Sequence, residues 1–348
     1  NPDFGQVEAD PAEVNLTAFE TFFPEQRPFF IEGNQLLQGT GPGYYYSRRI
    51  GATPQGYATG EVADSADFLE SPRYATILGA AKLTGRTSSG MSIGALAAVT
   101  QREYADLYDA TTNSFEKVAV EPSTAYLVGR VQQEFGASAS TIGVTLTGLS
   151  RNFSDAEPLK QQMTSQAVSG GADWLLRMNN GQFLVGGHAG FSYIHGSDTA
   201  VTAVQMSSAH YYQRPDQDYA VLDTTRTSLS GYSLGLNAEK AGGKHWTGGL
   251  FLGAESPGFE LNDLGRLSSA DDIDSEFFMN YRETQPGPVF RNYRLGLATA
   301  NGWNFGGTRT YSVFRINTNQ TWKNWWNSYV GIFYRPAAMS DDLTRGGP

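Results

Sequence analysis

From Tyr74 onward, apolar and polar residues alternate in segments near the ~10 residues of a membrane-barrel strand, longer than the ~5–6 of a typical globular strand. In the stretch from Ser140 to Ser150, Ile142, Val144 and Leu146 point one way, and Thr141, Gly143, Thr145 and Thr147 point the other. Tyr232, Leu234, Leu236 and Ala238 repeat the pattern against Gly231, Ser233, Gly235, Asn237 and Glu239. Trp246, Leu250, Leu252 and Ala254 do so against Thr247, Gly249, Gly253 and Glu255. One face is apolar and the other is small or polar. The pattern predicts about twelve strands, starting near Tyr74, Met91, Ser123, Ala139, Gln166, Gln182, Arg226, Lys244, Ser275, Val289, Thr308 and Trp325. The segment from Thr308 to Gln320 fits least well, because Arg315 and Phe314 suit neither face.

The links between these segments alternate in length. Short turns are expected at Gly85 to Gly90, around Gly136, at Asn179 to Gly181, at Ala241 to Gly243, at Gln285 to Pro288 and at Lys323 and Asn324. Longer links run from Tyr104 to Pro122, Asn152 to Ser165, Gly196 to Thr225 and Ser256 to Asp274, with Gly306 to Thr308 short where a long one is due. Alternate links of an up-and-down barrel lie at the same end, and outer-membrane barrels have short turns at one end and long loops at the other. Trp322, Trp325, Trp326 and Tyr329 bracket a tight turn, as an interfacial aromatic girdle would, and the same cluster fits a soluble hydrophobic core or a sugar platform equally well. A soluble propeller or stacked sandwich is the competing architecture; a propeller would repeat a motif every ~40–50 residues, and no such motif is present. The expected fold is an all-β, antiparallel up-and-down transmembrane β-barrel over residues 74–348, incomplete at its C-terminal end.

Residues 1–73 read differently. Between Phe19 and Gly33, five phenylalanines (Phe19, Phe22, Phe23, Phe29 and Phe30) surround Pro24, Pro28, Arg27 and the glutamates Glu20, Glu25 and Glu32. The stretch is apolar enough to be buried, yet its prolines forbid one long regular element. We expect a folded plug or collar, with Arg27 paired to a glutamate, the phenylalanines packed on the first strands or in the lumen, and a short helix near Asn15 to Phe23.

Composition agrees with a β-rich chain. Charged residues make up 17%, below the roughly 25% of an average soluble domain, and 13% are aromatic. A net charge of -10 without clustered Lys and Arg excludes nucleic acid as a partner. The chain has no cysteine, which removes disulfides, thiolate metal sites and a cysteine nucleophile. The four histidines, His188, His195, His210 and His245, form no HExxH motif, and Ala270 to Glu276 lacks the glycine of a calcium loop, so it reads as a solvated external loop. No metal or cofactor is expected. Gly39 to Gly43 lacks the lysine of a phosphate-binding loop.

Three sets of residues carry candidate chemistry. Arg130 and Glu134 share one strand face, Asp173 and Arg177 the inward face of another, and His188 points inward, so these five would line the lumen and tune it or close it by salt bridges. Tyr44, Tyr45 and Tyr46, with Tyr211 and Tyr212 in a long link, are sugar-stacking candidates. Glu25 and Glu32 are the weak catalytic candidates, since a glycosidase needs two carboxyls at a defined separation.

Several stretches carry a family resemblance: the opening segment from Asn1 to Gly33, Tyr44 to Gly51, Ile77 to Thr100, Ser256 to Gly265 and Leu343 to Pro348. They resemble a bacterial family of unknown function whose members carry a family-nine-like carbohydrate-binding module before this region and further strands after it. The resemblance implies an outer-membrane barrel, of which this sequence is an internal fragment, and it supplies no catalytic residues. The expected function is non-enzymatic transport or surface glycan capture at the bacterial outer membrane, with lipid and glycan as partners. The alternative is a barrel-anchored glycoside hydrolase.

Overall fold

The computed structural model describes residues 14–57, 68–110, 112–154, 158–341 and 343. The alternating segments become one 12-stranded antiparallel sheet. Its strands are β2 (Ile77–Arg86), β3 (Met91–Thr100), β6 (Ser123–Phe135), β7 (Ser140–Asn152), β8 (Gln166–Met178), β9 (Phe183–His195), β10 (Ser228–Lys240), β11 (Trp246–Glu255), β12 (Asp272–Glu283), β13 (Phe290–Trp303), β14 (Arg309–Trp322) and β15 (Asn327–Tyr334). Each pairs with its neighbour in sequence, except that β3 passes to β6. The largest offsets from the expected starts are Tyr74 against Ile77 and Ser275 against Asp272. Strands β2 and β15 are the edges and do not pair with each other, so the described strands form an open meander and not a closed barrel.

The link expected between Tyr104 and Pro122 is itself structured. Strands β1 (Phe68–Glu70), β4 (Glu103–Asp109) and β5 (Ser114–Glu121) make a separate three-stranded sheet. Their alternation was hidden by charge, since β4 and β5 together carry Glu103, Asp106, Asp109, Glu116, Lys117 and Glu121. The Ala270 to Glu276 stretch is not a solvated loop either: Ala270 and Asp271 are buried, and the rest opens β12.

Two faces of the meander differ as the alternation requires. Ile142, Val144 and Leu146 are 50, 57 and 48% exposed, although each is a large apolar side chain. Register partners carry the same face across the sheet: Ala238, Leu250 and Phe277 form one row, and Met279, Leu297, Ile316 and Ile332 another. The doubtful strand fits this scheme, with Arg315 opposite Ala298 on one face and Phe314 opposite Thr299 on the other. At the short-turn end, Trp246, Tyr281, Tyr293, Phe290 and Trp322 form a continuous aromatic chain with ring centroids 4.9, 6.0, 6.0 and 4.7 Å apart. The turn from β8 to β9 runs from Asn179 to Gln182, closed by the Gln182 N–H donating to the Asn179 carbonyl at 3.1 Å, with its central residues Asn180 and Gly181 left-handed at φ of 53° and 79°.

The opposite face is covered from within. Phe30, Leu37, Tyr45 and Ile50 of the N-terminal segment bury against Leu96 and Ala98 of β3, Tyr126 and Val128 of β6 and Leu149 of β7. The β11–β12 link adds Leu264 to this core, while Phe259 and Leu261 pack on Tyr44. Helix α2 (Asp198–Met206) lies in the β9–β10 link, capped by the Ser197 hydroxyl accepting from the Ala200 N–H at 3.1 Å. Its Val201 joins a second core with Ile194, Tyr212, Ala220 and Leu229. The long links therefore fold inward.

Candidate functional site

The N-terminal segment is organised by Arg27. Pro28 stands at the first position of helix α1 (Pro28–Ile31), where its missing N–H costs nothing, which leaves the Arg27 side chain free to bridge. Its guanidinium donates to the Ile50 carbonyl at 2.7 Å, the Ser47 carbonyl at 2.9 Å and both oxygens of Glu25 at 2.9 and 2.8 Å, and it lies 4.2 Å over the Phe30 ring. The Ser47 hydroxyl donates to Glu25 at 2.6 Å. Burial alone would push the Glu25 carboxyl up, but the bonds from Arg27 and Ser47 outweigh it and hold it at about 2. The helix expected near Asn15 to Phe23 does not form. The Asn15 side chain instead accepts the Thr17 N–H at 2.9 Å, a local turn that competes with helix.

From this hub the chain runs on as a strap, Gly39 to Gly43, across a buried polar row on the inner face. Arg130 on β6 donates to both oxygens of Asp173 on β8, at 2.5 and 2.9 Å, to Thr145 on β7 at 2.8 Å and to Gln132 at 2.8 Å. His188 on β9 is the register partner of Asp173, and its Nε2 lies 3.0 Å from the Ser233 hydroxyl on β10. Ser233 donates to Glu255 on β11 at 3.2 Å. The row thus connects successive strands from β6 to β11. The strap is pressed against it: Thr40 donates to Asp173 at 3.3 Å, a Cβ at Gly39 would lie 2.5 Å from Arg130 Nη1, and one at Gly41 would lie 2.7 Å from the His188 ring. Only glycine permits that approach.

A cavity of about 480 Å³ lies between the two arms of the segment, bounded by Phe22 to Glu25 on one side and Asn34 to Ser47 on the other, with Thr145 as part of its floor and Arg266 at its lip. Above it the inward-folded β11–β12 link is tied down. The Arg49 guanidinium donates to the Gly265 carbonyl at 3.1 Å, and Arg151 donates to Asp263 at 2.6 Å. Arg214, in the β9–β10 link, pairs with Asp341 at 3.0 Å and Asp271 at 3.3 Å, joining that link, the start of β12 and the segment after β15.

The structure brings together only part of the predicted set. Arg130, Asp173 and His188 share the buried row. Glu134 pairs with Arg86 at 2.9 Å near the short turns, and Arg177 donates to the Ala139 carbonyl at the same end, so neither belongs to the row. The sugar-stacking candidates are largely covered: Tyr44, Tyr45, Tyr211 and Tyr212 are 7, 6, 6 and 5% exposed, with Tyr44, Tyr45 and Tyr46 bordering the cavity between the arms. The Tyr44 hydroxyl sits against the backbone at Gly171 and Gly190, and burial pushes its phenol up. Tyr46 is half-buried, with its hydroxyl bonded to the Phe23 N–H and carbonyl at 3.0 and 2.8 Å. Of the carboxylate candidates, Glu25 has both oxygens consumed, and Glu32 caps α1 while its carbonyl holds Lys82. Phe30 and Arg27 are buried, and Phe19, Phe22, Phe23 and Phe29 are half-buried. Sequence reasoning missed Glu255, Ser233 and Arg266, whose only signal was inward phase or a position in a long link.

Fold and site define an all-β protein in which an antiparallel up-and-down sheet packs one face on its own N-terminal segment and exposes apolar rows on the other. Residues 1–343 match the domain family of unknown function DUF5916, and the chain belongs to that family. No curated protein and no solved structure matches it.

Proposed function

We propose that this chain forms most of the wall of an outer-membrane β-barrel plugged by its N-terminal segment, and that it works in transport or surface glycan capture without catalysis. The observation that carries the reading is the contrast between faces. Rows such as Met279, Leu297, Ile316 and Ile332 are exposed and apolar, and an aromatic chain borders them at one end, while the inner face carries the polar row and the plug. In this reading lipid covers the outer rows, and further strands, as the family resemblance implies, join the edges of β2 and β15. The locked Glu25 speaks against the hydrolase alternative.

Cell fractionation of the full-length parent tests this, followed by outer-membrane extraction in mild detergent and gel electrophoresis of unheated and boiled samples. Detergent-dependent extraction with a heat-shifted band is expected. Recovery in the soluble fraction with no shift would overturn the reading.

A further inference from the structure

The cavity between the plug arms has features of a ligand site and not of a packing defect. Its walls are rigid: Arg27 ties Glu25 to Ser47 and Ile50, Pro24 and Pro42 stiffen the two arms, and the strap is clamped to Arg130, Asp173 and His188. Its volume of about 480 Å³ falls within the ~300–1,000 Å³ of small-molecule sites. The charge in the walls is unbalanced. Glu25 is neutralised by Arg27, whereas no carboxylate among the described residues pairs with Arg266 at the lip. Arg266 is exposed, and its backbone is anchored. Its backbone bridges to Gly43, with the Arg266 N–H 2.9 Å from the Gly43 carbonyl, and its guanidinium lies 5.6 Å from the centroid of the Phe22 ring. Behind it the cavity offers aromatic edges from Phe22 and Tyr46 and polar groups from Asn34 and Gln38.

We infer that this cavity binds a small organic carboxylate of about one ring in size, with the carboxylate on Arg266 and the ring between the plug arms. A planar guanidinium with no carboxylate partner among the described residues matches a ligand carboxylate through two parallel hydrogen bonds between opposite charges, an interaction a neutral ligand does not supply. The inference deepens the proposed role by naming a ligand class for the lumen. The ring is either hydroxylated, as in a sugar acid, or flat and aromatic, and the same measurement separates the two.

The test uses the full-length protein in mild detergent and isothermal titration with sodium glucuronate, sodium benzoate and glucose. At least one carboxylate should bind saturably, at least tenfold more tightly than glucose. Stronger binding of glucuronate assigns a hydroxylated ring, and stronger binding of benzoate an aromatic one. Arg266→Gln should weaken the preferred carboxylate at least tenfold. Gln38→Glu, which adds a negative charge to the wall and leaves Arg266 in place, should weaken it as well. Glucose binding as well as the carboxylates, neither carboxylate binding, or both variants binding like wild type would overturn the inference. The heat-shifted band of each variant reports the barrel separately, so carboxylate binding without a heat shift would remove the barrel reading and leave the site standing.

Discussion

Replacing Asp173 with Asn tests whether the polar row locks the plug. The Arg130 and Asp173 side chains are only 3 and 8% exposed, and two charge-assisted bonds join them. Removing one partner of such a buried pair leaves an uncompensated charge and costs about 3–5 kcal/mol. Asn keeps one acceptor oxygen, so we expect the lower end, about 3 kcal/mol, or roughly a hundredfold rise in the population with the strap released. Limited proteolysis in detergent reads this directly, as faster cleavage within residues 14–57 while the strands stay protected. The paired substitution Arg130→Met with Asp173→Leu removes both charges and should recover to within about 1 kcal/mol of wild type. A cleavage rate for Asp173→Asn within threefold of wild type would refute the reasoning, as would a double variant as damaged as the sum of its single changes.

Three further outcomes follow from the same geometry. Glu25 in an unfolded chain titrates near 4.5 and is held at about 2 when folded, so its contribution is fully present above 4.5 and disappears as pH falls toward 2; that contribution is on the order of 3 kcal/mol. Protease protection of the plug should fall across that window, and Glu25→Gln should flatten the dependence; an unchanged profile would refute the assignment. Gly41→Ala places a Cβ against His188 at a φ of +102° and should loosen the plug by about 1–3 kcal/mol, read by the same cleavage assay. Leu297→Arg, in the middle of an exposed apolar row, should lower stability in lipid by about 2–4 kcal/mol in urea unfolding from vesicles, and a neutral result would argue for a water-facing surface.

The strands were legible because alternation is a local signal. Met91, Ser123 and Gln166 open strands where the pattern placed them, and Arg315 and Phe314 looked contradictory only until the register put them on opposite faces. Pairing was not legible. The alternation puts Arg130 and Glu134 on one face and Asp173 and Arg177 on another strand's inward face without naming partners; the bond that forms crosses from β6 to β8, and only the register of β7 between them brings Arg130 and Asp173 together. The helix was misplaced because an apolar stretch says where burial occurs, whereas Pro28 and the Asn15 turn decide where a helix starts. Three tyrosines in a row look alike in sequence whether they face solvent or, as Tyr44 and Tyr45 do, lie buried against the sheet.

The reach of the plug also bears on how the molecule is put together. Each strand of the meander bonds to a near neighbour, so the wall can be added one hairpin at a time with little loop to close. The plug obeys a different order: Arg49 bonds to the Gly265 carbonyl across a separation of 216 residues. The earliest part of the chain must therefore wait, loosely held, until the β11–β12 link arrives to fasten it. Fastening of the N-terminal segment is therefore coupled to the arrival of a link far along the chain, and not to any strand that it first meets.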